Sequence, residues 1–133
     1  MTAVDKLLSD ARQQLDRVNA QQAKQIFHDG GLLIDIRPAA QRATFGEIPG
    51  ALIIERNNLE WRLDPEGSHR IPEAVDPQRP IVVFCQEGYA SSLAALSLVQ
   101  LGRLNSTDLD GGFVAWQAAG YPTSHGDASP PLP

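Results

Sequence analysis

The stretch VVFCQEGYASSLAALSLVQLG, residues 82–102, joins an apolar run to a helical pattern and decides the fold. The apolar run begins at Ile81 and stops at Cys85. A short run of this kind, bounded by turn residues, is typical of a strand buried in a parallel sheet. From Ala90 onward apolar residues recur at helical spacing until Gly102, so this part predicts a helix.

Further strands and helices are predicted on both sides of this unit. Extended segments are expected at residues 16–18, 32–36, 48–54 and 106–109. Helices are expected at the N-terminus, after an N-cap at Asn19, over residues 39–44, in one or two turns of NNLEWRL, and from Phe113 onward. Strands that alternate with helices indicate an α/β domain with a mainly parallel sheet and helices on both faces.

Composition excludes several classes of partner. A chain of 133 residues fits one globular domain. Its net charge of -5 argues against general binding to nucleic acid or to an anionic membrane. No stretch approaches the roughly 20 apolar residues that span a bilayer, and the N-terminus lacks a signal-peptide core. We therefore expect a cytoplasmic protein that binds small molecules or other proteins.

The chain contains a single cysteine, Cys85. One cysteine cannot form an internal disulfide, and the three histidines share no metal-ligand spacing with it. Neither a disulfide scaffold nor a metal site is expected. Cys85 is either a small buried residue that ends a strand or a nucleophile held in a loop built for an anion.

The position of Cys85 favours a functional site. Ligands of open α/β sheets bind outside the carboxyl ends of the strands, and Cys85 lies at such an end. The residues Gln86–Ala90 form a tight loop around Gly88 that runs into a helix N-terminus. Backbone N–H groups in such a loop, together with the helix end, form a cradle that would stabilise a thiolate.

Four separated segments carry a resemblance to the single-domain rhodanese-like sulfurtransferase family. They are LLIDIRPAAQ (32–41), EIPGALII (47–54), IVVFCQEGYASSLAA (81–95) and LDGGFVAWQAAGYP (109–122). The resemblance implies an α/β fold with a central, mainly parallel five-stranded sheet and helices on both faces. We place this domain at residues 16–122, with an N-terminal helix (1–15) packed on it and a disordered tail (123–133) after it.

The resemblance also implies an activity. Cys85 matches the catalytic cysteine, and the persulfide-binding loop corresponds to Gln86, Glu87, Gly88, Tyr89, Ala90 and Ser91. The implied enzyme moves a sulfane sulfur from thiosulfate or another persulfide donor to a thiophilic acceptor through a Cys85 persulfide. Its partners would be a small sulfur-containing anion or thiol, or a sulfur-donor or acceptor protein. No metal or organic cofactor is required.

The loop departs from the family's commoner pattern, because Gln86 and Ala90 stand where basic residues are usual and Glu87 adds a negative charge. An anionic donor should bind such a loop less well. An anion-binding rim could come from Arg37, Arg56 or Arg62, of which Arg56 is the strongest candidate. Arg37 could equally form a structural ion pair with the neighbouring Asp35. Ser91 and Ser92 are expected to accept from backbone donors at the helix start.

Two rival functions remain at this point. A cysteine phosphatase or arsenate reductase needs a longer loop that ends in an arginine, whereas the sixth residue after Cys85 is Ser91. That class is therefore not favoured. A non-catalytic rhodanese-like module that binds or regulates another protein is the alternative reading. Whether Cys85 acquires and passes on a sulfur atom distinguishes this module from an enzyme.

Overall fold

The computed structural model of the chain describes residues 1–132. The helices are α1 (Ala3–Arg12), α2 (Ala20–His28), α3 (Ala39–Phe45), α4 (Leu59–Leu63), α5 (Ala90–Gln100) and α6 (Gly112–Ala118). The strands are β1 (Leu32–Asp35), β2 (Leu52–Ile53), β3 (Ile81–Phe84) and β4 (Ser106–Asp108). Short 3-10 helices span Arg56–Asn58 and Pro72–Ala74. Pro133, the last residue of the tail predicted to be disordered, lies outside the described residues.

The strands form one parallel sheet in the order β2-β1-β3-β4, which confirms the predicted α/β class. The predicted number of strands is wrong, because the sheet has four strands and not five. The fifth extended segment contributes only a single parallel bridge between Val18 and Leu109. The reason is local, since Asn19 already caps α2 with a complete capping box and ends the extended backbone.

Two apolar cores lie on opposite faces of the sheet. One contains the inward side chains of Ile34 and Val83 with residues of α4 and α5. The other contains Leu33 and Val82 with residues of α2 and α6. Successive strand side chains point to opposite faces, so a run of apolar residues supplies both cores. The helices on both faces were therefore correctly predicted.

The helix α1 packs against α5 and buries Ala11. Thr2 caps its N-terminus, with Asp5 completing a capping box. This packing brings the end of α1 close to the start of α5, beside the loop that contains Cys85. Within residues 1–132, no helix has the length and apolar character needed to cross a membrane.

Residues 124–132 of the C-terminal tail make hydrogen bonds to the rest of the chain. Ser124 pairs with Glu47 in an antiparallel bridge. The Ser129 hydroxyl donates to the Glu47 carboxylate over 2.9 Å, and the Ser129 carbonyl accepts a hydrogen bond from Arg42. A buried arginine and its carboxylate partner therefore both contact this polar segment. Tail composition alone does not reveal such partners.

Candidate active site

Cys85 directly follows β3, so it lies at the carboxyl edge of the sheet in a central position. The residue is only 9% exposed. Its Sγ accepts the N–H of Gly88 over 3.2 Å and the N–H of Ser91 over 3.4 Å. The loop and the first turn of α5 therefore both donate hydrogen bonds to the sulfur, as expected of a cradle for an anion.

Four further N–H groups belong to this loop. Those of Gln86, Glu87, Tyr89 and Ala90 donate to no acceptor within residues 1–132. Unsatisfied backbone donors around a sulfur atom are available to a ligand or to a second sulfur bound there.

The start of α6 holds the loop from one side. The Phe113 N–H donates to the Cys85 carbonyl over 2.9 Å, and the Val114 N–H donates to the Gln86 carbonyl over 3.1 Å. Gly112 permits this approach, because a Cβ at that position would lie 2.5 Å from the Cys85 carbonyl oxygen. The turn that precedes α6 is thus part of the support of the loop.

Arg37 lies beneath the loop and not at its mouth. Its side chain is buried and forms an ion pair with Asp35 at 2.8 Å. Its Nη1 donates to Gln86 Oε1 over 2.9 Å, and its Nη2 donates to the Gly46 carbonyl over 2.8 Å. The structure therefore places Arg37 in the structural ion pair considered above and gives it a contact to the loop from below.

Two arginines from the N-terminal part of the chain contact the loop on the side of α1. Arg12 Nη2 donates to the Gly88 carbonyl over 2.8 Å, and Arg17 Nη2 donates to the same oxygen over 3.0 Å. Arg12 Nε also donates to Ser92 Oγ over 3.1 Å, and its guanidinium lies 5.8 Å from the Tyr89 ring centroid. Neither arginine was among the residues expected from the sequence.

Asp108, the last residue of β4, connects these groups in the protein interior. Its carboxylate is fully buried and pairs with Arg17 over 2.9 and 3.1 Å. The hydroxyls of Ser91 and Ser92 donate to Asp108 Oδ2 over 2.8 and 2.9 Å. The two serines thus bind a carboxylate and do not accept from the backbone donors that the sequence suggested.

Electrostatics hold Arg17 in its charged form. Burial by itself would lower the pKa of Arg17, but the hydrogen bond to Asp108 and the negative charges of Asp108, Asp110 and the Cys85 thiolate raise it above its ordinary value. A charged guanidinium is therefore present near the sulfur, although the loop itself contains no basic residue.

Other loop residues face solvent. Glu87 and Ala90 are exposed, and Tyr89 is 60% exposed. Gln86 is half-buried because its side chain accepts from Arg37. The mouth of the loop therefore presents an acid and an aromatic ring.

The two other rim candidates lie on the segment that follows β2. Arg56 forms a half-exposed ion pair with Glu60 at 2.9 Å and lines a pocket of about 220 Å³ with Ile36. The Ile36 N–H donates to the Phe84 carbonyl, so this pocket lies beside the strand end that carries Cys85. Arg62 donates to the His69 carbonyl over 2.9 Å and lines a separate pocket with Trp61.

The family model described as the rhodanese-like domain matches residues 19–119. A thiosulfate sulfurtransferase, GlpE, from Pseudomonas aeruginosa is 32% identical over 114 residues, which cover 84% of this chain and 94% of the relative. A second GlpE, from Ectopseudomonas mendocina, is 30% identical over 77% of this chain and 84% of its own length.

Solved structures show the same fold. A protein of unknown function from Rhodopseudomonas palustris, named as a possible tyrosine phosphatase, superposes with a TM-score of 0.82 at 26% identity, over 93% of this chain and 96% of its own. The crystal structure of a thiosulfate sulfurtransferase from Pseudomonas aeruginosa gives a TM-score of 0.66 at 25% identity, over 85% of this chain and 20% of its own.

Proposed function

We propose, from the premise that this chain belongs to the rhodanese-like domain family, that it is a sulfurtransferase that carries a sulfane sulfur on Cys85. The Cys85 thiolate attacks the outer sulfur of thiosulfate, the S–S bond of the donor breaks, and sulfite leaves with the bonding electron pair. The product is the Cys85 persulfide anion. A thiophilic acceptor, such as cyanide or a thiolate, then takes the outer sulfur and restores the Cys85 thiolate.

The observation that carries this proposal is the pair of N–H groups, from Gly88 and Ser91, that already donate to Cys85 Sγ. Both N–H groups therefore face the sulfur atom that carries the negative charge of the thiolate. The unsatisfied N–H groups of Gln86, Glu87 and Tyr89 supply donors for the negative charge of an added sulfur. One cysteine is sufficient for this cycle, and the relatives named thiosulfate sulfurtransferase support the choice of donor.

The reduced thiol that this cycle requires fits a reducing compartment, so cytoplasmic location belongs to the same proposal. A sulfur-donor or acceptor protein is compatible with it as well, because the loop mouth presents exposed Tyr89 and Glu87.

The hypothesis that the chain is a cysteine phosphatase is less well supported. A cysteine phosphatase needs a guanidinium that points into the loop to bind the equatorial oxygens of phosphate. The loop itself has no arginine, and Arg12 and Arg17 both donate to the outward Gly88 carbonyl. In addition, the Ser91 N–H donates directly to Cys85 Sγ, so the first turn of α5 contacts the sulfur atom.

The deciding experiment is the intact mass of reduced protein after incubation with thiosulfate, followed by cyanide. We expect the wild-type chain to gain one sulfur atom and to lose it as thiocyanate, while Cys85→Ser gains none. The same measurement with a small-molecule persulfide donor tests whether Cys85 is loaded when thiosulfate itself reacts poorly. If the wild-type chain gains no sulfur from either donor, the enzyme proposal is wrong and a binding module becomes the better reading.

Arg56 is the residue that we propose as the anion contact at the rim. Arg56→Ala should raise the KM for thiosulfate about three- to tenfold with little change in kcat, because an exposed charge contributes about 1 kcal/mol. Glu60 makes the expected increase in KM smaller, since its carboxylate already pairs with the Arg56 guanidinium. Arg70→Ala, which also removes an exposed arginine, serves as the control. Equal KM values for the two variants would exclude Arg56 from the rim.

A further inference from the structure

The Gly88 carbonyl is held by two guanidinium groups from a segment that lies outside the family match. Arg12 and Arg17 donate to it over 2.8 and 3.0 Å, and both precede residue 19, where the match begins. Hydrogen bonds from charged donors are stronger than those from neutral ones, so two of them together fix the orientation of one peptide unit. That unit joins Gly88 to Tyr89.

Peptide geometry transmits this constraint to the next N–H group. The peptide bond is planar and trans, so the C=O of Gly88 and the N–H of Tyr89 point in opposite directions. Because the carbonyl points outward to the arginines, the Tyr89 N–H points to the opposite side of the loop. Gly88 has a φ of 93°, which lets its own N–H donate to Cys85 Sγ at the same time. The Tyr89 N–H has no acceptor within residues 1–132.

We propose that Arg12 and Arg17 are positioning residues that turn the Tyr89 N–H toward the sulfur of Cys85, where it binds the outer sulfur of the persulfide. This inference deepens the proposed sulfurtransferase function and rests on it for the persulfide. The N-terminal segment is then part of the site, and it also supplies the positive charge that the loop lacks.

The network behind the two arginines explains how they are kept in place. Arg17 is fixed by the buried carboxylate of Asp108, which also binds the hydroxyls of Ser91 and Ser92. Arg12 reaches the loop from the last turn of α1 and has no buried ion pair to lose. Arg12 can therefore be changed without leaving an unpaired charge in the core, whereas Arg17 cannot.

The experiment compares Arg12→Met with Lys6→Met. Both remove one positive charge from α1, but the Lys6 side chain is exposed and pairs with the exposed Asp10. The first readout is the rate of Cys85 alkylation by iodoacetamide at one fixed pH, followed by mass. We expect Arg12→Met to be alkylated about three- to tenfold more slowly, because a released Gly88 carbonyl lets the loop turn and weakens the hydrogen bond from the Gly88 N–H to Cys85 Sγ. Lys6→Met should be alkylated at the wild-type rate.

The second readout is the amide NMR signal of Tyr89 before and after Cys85 gains a sulfur atom. We expect this amide proton to move downfield in the wild-type chain and in Lys6→Met, and to move less in Arg12→Met. If Arg12→Met does not fold, Arg12→Lys takes its place, because lysine keeps the charge but cannot bind the Gly88 carbonyl and Ser92 Oγ together.

The positioning role is overturned if the Tyr89 amide does not respond to persulfide formation in the wild-type chain, or if the Arg12 variant matches Lys6→Met in either readout. Failure of the proposed function looks different, since no variant and no wild-type protein would then gain sulfur. The alkylation rate requires no sulfur donor, so it tests the effect of Arg12 on the reactivity of Cys85 in either case.

Discussion

Gly88→Ala tests whether the loop conformation holds the sulfur, and the structure provides a matched control. Gly88 has a φ of 93° and Gly102 a φ of 105°, so alanine carries a similar backbone cost of about 1–2 kcal/mol at both. The two sites differ in the free space around the added Cβ atom. A Cβ at Gly88 would lie 2.8 Å from the Gly111 backbone nitrogen, whereas nothing lies within 4 Å at Gly102. The extra cost of crowding at Gly88 is about 1–3 kcal/mol.

The assay measures thermal unfolding and the rate of sulfur loading from a persulfide donor for both variants. At about 3–5 °C per kcal/mol for a domain of this size, Gly88→Ala should melt roughly 3–15 °C below Gly102→Ala. Loading should slow at least tenfold in Gly88→Ala alone, because movement of the loop removes the Gly88 N–H from Cys85 Sγ. Equal melting temperatures and equal loading rates for the two variants would refute this account of the loop.

Two further predictions concern carboxylates. Asp108→Ala should lower the free energy of unfolding, measured with denaturant, by about 3–5 kcal/mol, since it breaks a buried ion pair. The control is Asp110→Ala, which removes the exposed carboxylate paired with the same Arg17 and should change that free energy by at most about 0.5 kcal/mol. Burial by itself would raise the pKa of Glu47, but hydrogen bonding to Arg42 holds it below its ordinary value of 4.5. The stability that Glu47 gives to residues 124–132 is therefore complete above about pH 4.5 and lost as the pH falls through the lower folded value. Hydrogen exchange of this tail, corrected for intrinsic rates, should accelerate in acid in the wild-type chain but show no such step in Glu47→Gln.

Most of the fold could be predicted because its signals are local. The run Ile81–Phe84 is apolar throughout and forms a central strand, and Asn19 with Gln22 forms the predicted capping box. The extended segment at Val18 also exists, but its length as a strand was overestimated. The competing signal was in the sequence, since a cap at Asn19 leaves almost no residues for pairing.

The candidate site was predicted only in part. The placement of Cys85 at a strand end and the loop around Gly88 follow from adjacent residues, and the structure brings these together. The contacts of Arg37 were open between a rim and an ion pair, and burial places it in the pair with Asp35. Arg12 was not predicted at all, because 76 residues separate it from the carbonyl that it binds.

The sequence by itself determined the alternation of strands and helices, the position of the single cysteine and the turn that surrounds it. These features depend on periodicity, caps and glycine conformations, which act over a few residues. Only the tertiary structure decided which charges lie near the sulfur. Arg17 meets Asp108 and the Gly88 carbonyl because α1 packs on α5 and β4 lies beside β3. Such a contact depends on how distant elements pack, and no local pattern of residues encodes it.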